Sequence, residues 1–243
     1  MPFTTPLEEA VAEVNFAPSA LLEFRAATLY SLIGAEFPNY QKFPFFLVPV
    51  EAGGGAAPPY SPAYRFTSED GKQMVQFGPR TLTFNSLAYG GWPRFMEQFS
   101  RVFHMVAEAS FGLVGERLAL TFVNRMPVDT PQGLQKLLCI DLGIDEKTVP
   151  LDFMIRKIGQ HEAGLSTTII TPLPPDEMFP TPAFGITCTE IGFGTDEFNA
   201  TNLPEILSWF ENAHGRSKDR FWNLLTPEIQ KEWEATYAAR SAS

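Results

Sequence analysis

The chain has 243 residues and a formal net charge of -10 at pH 7, with 44% hydrophobic and 19% charged residues. That composition builds a globular core rather than a disordered chain, and the negative balance disfavours binding to a phosphate backbone. No apolar run approaches the roughly 20 residues of a membrane span, and the opening MPFTTPLEEAVAEVNF has neither a basic start nor a long apolar stretch, so a soluble, cytoplasmic protein is expected.

Leu7 to Phe16 alternate, with Ala10, Ala12, Val14 and Phe16 on one face and Glu9, Val11, Glu13 and Asn15 on the other. That period predicts a half-buried strand. Ser19 is placed to cap a helix whose apolar stripe is Leu22, Ala26, Leu29, Ile33 and Phe37, and Pro38 ends it. The stretch from Pro44 to Pro62, with EAGGGAAPPYSP inside it, reads as an irregular Gly/Pro-rich loop. Three short strands follow, Tyr64 to Thr67, Met74 to Phe77 and Thr81 to Asn85. Ser68-Glu69-Asp70-Gly71 and Gly78-Pro79-Arg80 are the turns between them. Trp92-Pro93 opens a helix with Phe95, Phe99, Val102, Phe103 and Val106 on its buried stripe.

The second half runs in the same order. Arg117 to Val128 is a strand, with Leu118, Leu120 and Phe122 on one face. Thr130-Pro131 caps a helix through Leu134, Leu137, Leu138 and Ile140. Strand-like runs cover Leu151 to Ile158, Leu165 to Thr171 and Phe184 to Phe193. A last helix starts near Asn202-Leu203-Pro204 and carries Ile206, Leu207, Phe210, Phe221, Leu224 and Leu225. Strand, helix, three strands, helix thus occurs twice. The expected fold is α+β: a duplicated β-α-β-β-β-α unit forming one curved, largely antiparallel sheet with helices on one face. It makes a single domain of two pseudo-repeats, 1–112 and 113–243. The element order resembles the duplicated saddle of the TATA-binding-protein fold, a likeness of topology that carries no function.

No motif for catalysis or metal binding emerges. His104, His161 and His214 do not share metal-ligand spacing. Gly53-Gly54-Gly55 lacks the Lys-Ser/Thr of a phosphate loop, and Gly192-Phe193-Gly194 lacks the third glycine of a dinucleotide fingerprint. The carboxylates Glu8, Glu9, Glu13, Asp141, Asp145 and Glu146 read as solvated charges, and Cys139 and Cys188 as two buried thiols in a reducing compartment. No metal site and no cofactor is therefore expected.

Two surfaces remain as candidates. If the apolar strand positions face the helices, the opposite sheet face carries Arg65, Thr67, Thr81, Thr83, Asn85, Arg117, Thr121, Thr187 and Thr189, a solvated polar face or a binding surface. The C-terminal helix carries Trp209, Phe210, Phe221, Trp222 and Trp233, more aromatic area than one stripe normally buries.

MVQFGPRTLTFNSLAYGGWPRF (Met74 to Phe95), RLALTFVNRMPV (Arg117 to Val128), HGRSKDRFWNLLTPEIQKEW (His214 to Trp233) and the opening PLEEAVAEVNF resemble a sporadically distributed bacterial family of uncharacterised proteins of about this chain's length. The resemblance implies no reaction and no catalytic residue. Its patchy distribution implies an accessory role, such as phage defence or neutralising a toxin. Asn85, Trp92, Asn124 and Arg125 stand in its motifs.

The function expected from the sequence is a non-catalytic interaction protein that binds a protein partner or assembles with itself. Its candidate binding residues are Thr83, Asn85, Arg117, Thr121, Asn124, Arg125 and Trp222. The alternative is an enzyme or small-ligand binder with a site at the junction of the halves, using Asn124, Arg125 and His161.

Overall fold

A computed structural model describes residues 7–17, 22–45, 61–108, 114–126, 128, 130–139, 154–162, 164–173, 183–199 and 203–241. Ser19, the Gly53–Gly55 run, Ile140, Asp141, Asp145 and Glu146 lie outside the described residues.

Among the described residues the strands are β1 (Leu7–Phe16), β2 (Asn39–Phe45), β3 (Ser61–Thr67), β4 (Gln73–Phe77), β5 (Thr81–Ser86), β6 (Val114–Met126), β7 (Ile155–His161), β8 (Gly164–Leu173) and β9 (Ala183–Asn199). The helices are α1 (Leu22–Ile33), α2 (Trp92–Glu108), α3 (Pro131–Leu137), α4 (Leu203–Leu224) and α5 (Pro227–Ser241). The strands form one nine-stranded sheet in the order β2-β3-β4-β5-β1-β6-β9-β8-β7. The β1–β5, β2–β3, β3–β4, β4–β5 and β7–β8 pairs are antiparallel. The class is therefore α+β, with a sheet that does not close. No helix among the described residues is long and apolar enough to cross a membrane.

The chain divides into two compact units, one holding 9–120 and 191–210, the other the rest of the described chain. In the first unit the alternation of β1 buries Ala10, Ala12, Val14 and Phe16, as its period requires. They join Phe66, Val75, Phe77, Leu82 and Phe84 in an aromatic-rich core, together with the full expected stripe of α2. Phe84 packs its ring 5.4 Å from Phe95, and Phe99 meets Phe210 edge-on at 4.7 Å. Each buried Phe contributes about 1.5–3 kcal/mol of burial free energy.

The β3–β4 hairpin closes through the expected Ser68–Gly71 turn. Gly71 donates to the Ser68 carbonyl at 3.0 Å and adopts φ 71°, the left-handed region that favours glycine. Ser68 Oγ and the Lys72 N–H both donate to Asp70, and they hold its carboxyl below its ordinary range.

In the second unit Met126, Leu134, Leu138, Ile170, Phe184, Ile186, Cys188, Leu225 and Trp233 form the core, with Phe221, Trp222 and Leu224 packed against it. Thr130 caps α3, accepting from the Gly133 N–H at 3.1 Å.

Five sequence expectations change. Asn39–Phe45 is a strand, whose last two residues, Pro44 and Phe45, the sequence assigns to the loop, and so the first half has four strands after its helix instead of three. Asn39 to Lys42 are all exposed and show no alternation, and Pro44 argues against a central strand. Both features suit β2's place at a sheet edge, where a proline and the charge of Lys42 also discourage pairing with another chain.

α3 stops at Leu137, because Leu138 bridges to Leu225 and Cys139 N–H donates to the Leu224 carbonyl at 2.7 Å. That bridge also divides the expected last helix into α4 and α5, and it leaves Cys139 exposed, not buried. α1 likewise ends early. Phe37 donates its N–H to the Ile33 carbonyl and buries its ring just past the helix.

Candidate functional site

On β9, Phe184, Ile186, Cys188 and Glu190 point inward in turn, and all four are buried. The alternation that should deliver an apolar residue at its fourth position delivers a carboxylate with 1% exposure. Its neighbours explain how it is held. On β8 the same face carries Ser166, Thr168 and Ile170, and the β7–β8 register sets Gly159 opposite Ser166 and His161 opposite Gly164. On α4 the residues one turn apart at Arg216 and Arg220 share a face, as i, i+4 positions must.

These elements converge on one group. Glu190 Oε2 accepts from Ser166 Oγ at 3.1 Å and from Arg216 Nε at 3.1 Å, and lies 3.2 Å from His161 Nε2. Its other oxygen lies 3.3 Å from Arg220 Nη2. An isolated carboxylate is not tolerated in such a place, but here two guanidinium groups surround it. The cations outnumber the anion. Among the described residues Arg216 Nη2, Arg220 Nε, His161 Nε2 and Glu190 Oε1 are all shut from water without a hydrogen-bond partner, so donors and a carboxylate oxygen are both left unmet, each at a cost. The arginine side chains keep 28% and 25% exposure, so the cluster reaches the surface.

Gly159 lies under Arg220, and a Cβ built there would make ordinary van der Waals contact with Arg220 Nη1 at 3.8 Å. Beside the cluster, burial pushes the Cys188 thiol up to about 11, and the Thr168 hydroxyl and Arg220 only partly oppose it. Cys188 is thus a neutral core thiol and no nucleophile.

The residues singled out from the sequence are dispersed. Thr83, Asn85 and Arg117 lie on the sheet face opposite Leu82 and Phe84, as expected, but that face is not the solvated one the sequence suggested. Asn85 is buried, and Thr83 and Arg117 are half-buried. Their own network covers them: Asn85 Nδ2 donates to Glu9 at 2.8 Å, Thr83 Oγ1 to Asn85 at 3.1 Å, and Arg117 to Glu13. Thr121 meets Thr189 hydroxyl to hydroxyl at 3.0 Å. Asn124 turns to the opposite side and donates to the Ile186 carbonyl at 3.3 Å. Arg125 pairs with Glu8 at 3.6 Å.

Trp222 packs on the second unit's core, and Trp233 and Phe210 are buried, so the C-terminal aromatics serve packing in good part. His104 is exposed on α2. His214 stands beside the Phe122 ring, where burial lowers its basicity. Of the sequence candidates only His161 joins the Glu190 cluster. Among the described residues no group of three or more His, Cys, Asp or Glu side chains forms a metal site. No protein-family model matches the chain, and no curated protein matches it.

Proposed function

We propose that this chain is a non-catalytic binding protein that receives an anionic group at Arg216 and Arg220. The observation that carries this reading is the charge imbalance: two guanidinium groups stand against one buried carboxylate, and two unmet guanidinium donors, Arg216 Nη2 and Arg220 Nε, stand against one unmet carboxylate oxygen, Glu190 Oε1. Arginine's fork suits a carboxylate or phosphate held by two parallel bonds. Ser166 is fully buried and donates to Glu190, and Cys188 is protonated, so the cluster offers no activated nucleophile.

The strand order supports a second element of the reading, an internal duplication. Outward from the β1–β6 pair the order is β1, β5, β4, β3 on one side and β6, β9, β8, β7 on the other. Each half places its first strand beside its last, and β2 and α5 are additions to the common plan.

Calorimetric titration with succinate and with inorganic phosphate tests the site. Saturable binding by the wild type and none by a folded E190L/R216M/R220M variant is expected. Equal binding by both, or none by the wild type, removes the proposal. A bound anion at tenfold over its Kd adds about 1.4 kcal/mol of stability, which raises Tm by about 3–6 °C for a chain of this size.

A further inference from the structure

We infer that the anionic group belongs to an acidic, extended segment of a partner protein, which adds to the sheet as a strand beside β7. This inference rests on the anion site proposed above and names its occupant.

Among the described residues β7 is the last strand of the sheet, hydrogen-bonded to β8 on one side. In an antiparallel ladder alternate residues turn their N–H and C=O away from the partner, and so β7 offers a row of backbone donors and acceptors at its outer edge. Its side chains suit an acidic neighbour. Arg156 and Lys157 are both exposed, and Ile155–His161 contains no carboxylate. With Arg216 and Arg220, Lys157 puts three cations on the face of one buried carboxylate, while Arg156 lies on the other face, in a chain whose net charge is -10. Asp152 and Glu162 flank β7 in the sequence, Asp152 outside the described residues, and Asp219 lies on the outer side of α4 with Lys218 beside it.

The two faces of β7 differ, and they set the pattern of the occupant. Lys157, Gly159 and His161 share the face of Ser166 and Glu190 by register. Gly159 leaves open the approach to Arg220 there. On the other face Ile158 is 56% exposed between Arg156 and Gln160. A strand laid along this edge therefore places a Glu or Asp opposite Gly159, within reach of a turned Arg220 guanidinium, and an apolar side chain opposite Ile158. Alternating acidic and apolar residues are the signature of the segment.

The test uses a labelled eight-residue peptide alternating Val and Glu, with blocked ends, and the full chain. Binding by fluorescence anisotropy is expected, with Kd weakened about tenfold or more by R220Q, by G159I, or by a central proline in the peptide. Amide exchange at β7 should slow when the peptide binds. If succinate binds and the peptide does not, the strand-addition inference fails while the anion site stands. If neither binds, both fail. Equal affinity for the proline-interrupted peptide shows recognition of charge alone and overturns strand pairing. A dimer of the chain that the peptide cannot dissociate and that protects β7 amides assigns this edge to a second copy and overturns the inference.

Discussion

Replacing Glu190 with Gln tests the centre of the cluster with almost no change in volume. The amide keeps one acceptor and loses the charge, and it points new N–H donors at groups that are themselves donors. Ser166 and Arg216 at 3.1 Å, His161 at 3.2 Å and Arg220 at 3.3 Å all lose an anionic partner. Breaking a fully buried ion pair costs about 3–5 kcal/mol. The arginines keep 28% and 25% exposure and so recover some hydration, which brings the expected loss to about 2–4 kcal/mol. Against a total stability of roughly 5–15 kcal/mol, Tm should fall by about 4–16 °C, read by circular dichroism. The E190L/R216M/R220M variant should lose far less and can gain stability, because apolar replacement of a whole buried ion cluster is often neutral or stabilising. A Tm unchanged by E190Q would refute this account of how the carboxylate is held.

Three other outcomes follow from the packing. Leu82→Asp should unfold the protein, because it puts an unpaired charge in the core at a cost of several kcal/mol, while Thr83→Asp should cost about 1 kcal/mol, since it sets a carboxylate opposite Glu13; equal losses in urea titrations would show that both faces are equally closed. A thiol reagent should label the exposed Cys139 rapidly and Cys188 only on unfolding, and because the folded Cys188 pKa is raised to about 11 from 9.0, its stabilising contribution is complete below pH 9 and is lost as pH rises to about 11, a slope that Cys188→Ala should remove from denaturation midpoints. Gly192→Ala should destabilise by about 1–3 kcal/mol, since the new Cβ falls 2.3 Å from Trp209 Nε1, and a Tm equal to wild type would show that the Trp209 ring moves freely aside.

Elements with a clear period were legible. The strand Leu7–Phe16, the α2 stripe, the Ser68–Gly71 turn and the Thr130 cap each announce themselves in local residue types, and each is present. β2 was not legible, because an exposed edge strand has no alternation to show and its Pro44 reads as a breaker. The helix ends at Leu137 and Leu224 were set by a bridge between residues 87 positions apart, Leu138 and Leu225, which no local pattern encodes. The cluster was missed for a similar reason, because its members come from β7, β8, β9 and α4. A signal existed nonetheless. Glu190 continues the run Phe184, Ile186, Cys188, and Arg216 and Arg220 interrupt the stripe of α4 between Ala213 and Leu224. Charges standing where the period demands apolar residues mark such a site more sharply than any motif search.

The electrostatics of the proposed complex have an unusual sign structure. At long range an acidic segment meets a molecule of net charge -10 and is repelled. At contact its acidic side meets Lys157, Arg216 and Arg220, and is attracted. The Debye length is about 30 Å at 0.01 M salt and about 8 Å at 0.15 M, so added salt screens the repulsion over the approach before it screens contacts of 3–4 Å in a half-buried cluster. Steered association usually slows with salt; here the association rate of the Val/Glu peptide should rise between these two concentrations, while its dissociation rate changes less. Stopped-flow anisotropy reads both rates. An association rate that falls steeply over the same range would show that the field around β7 is positive well beyond contact, and would refute the separation of the two ranges.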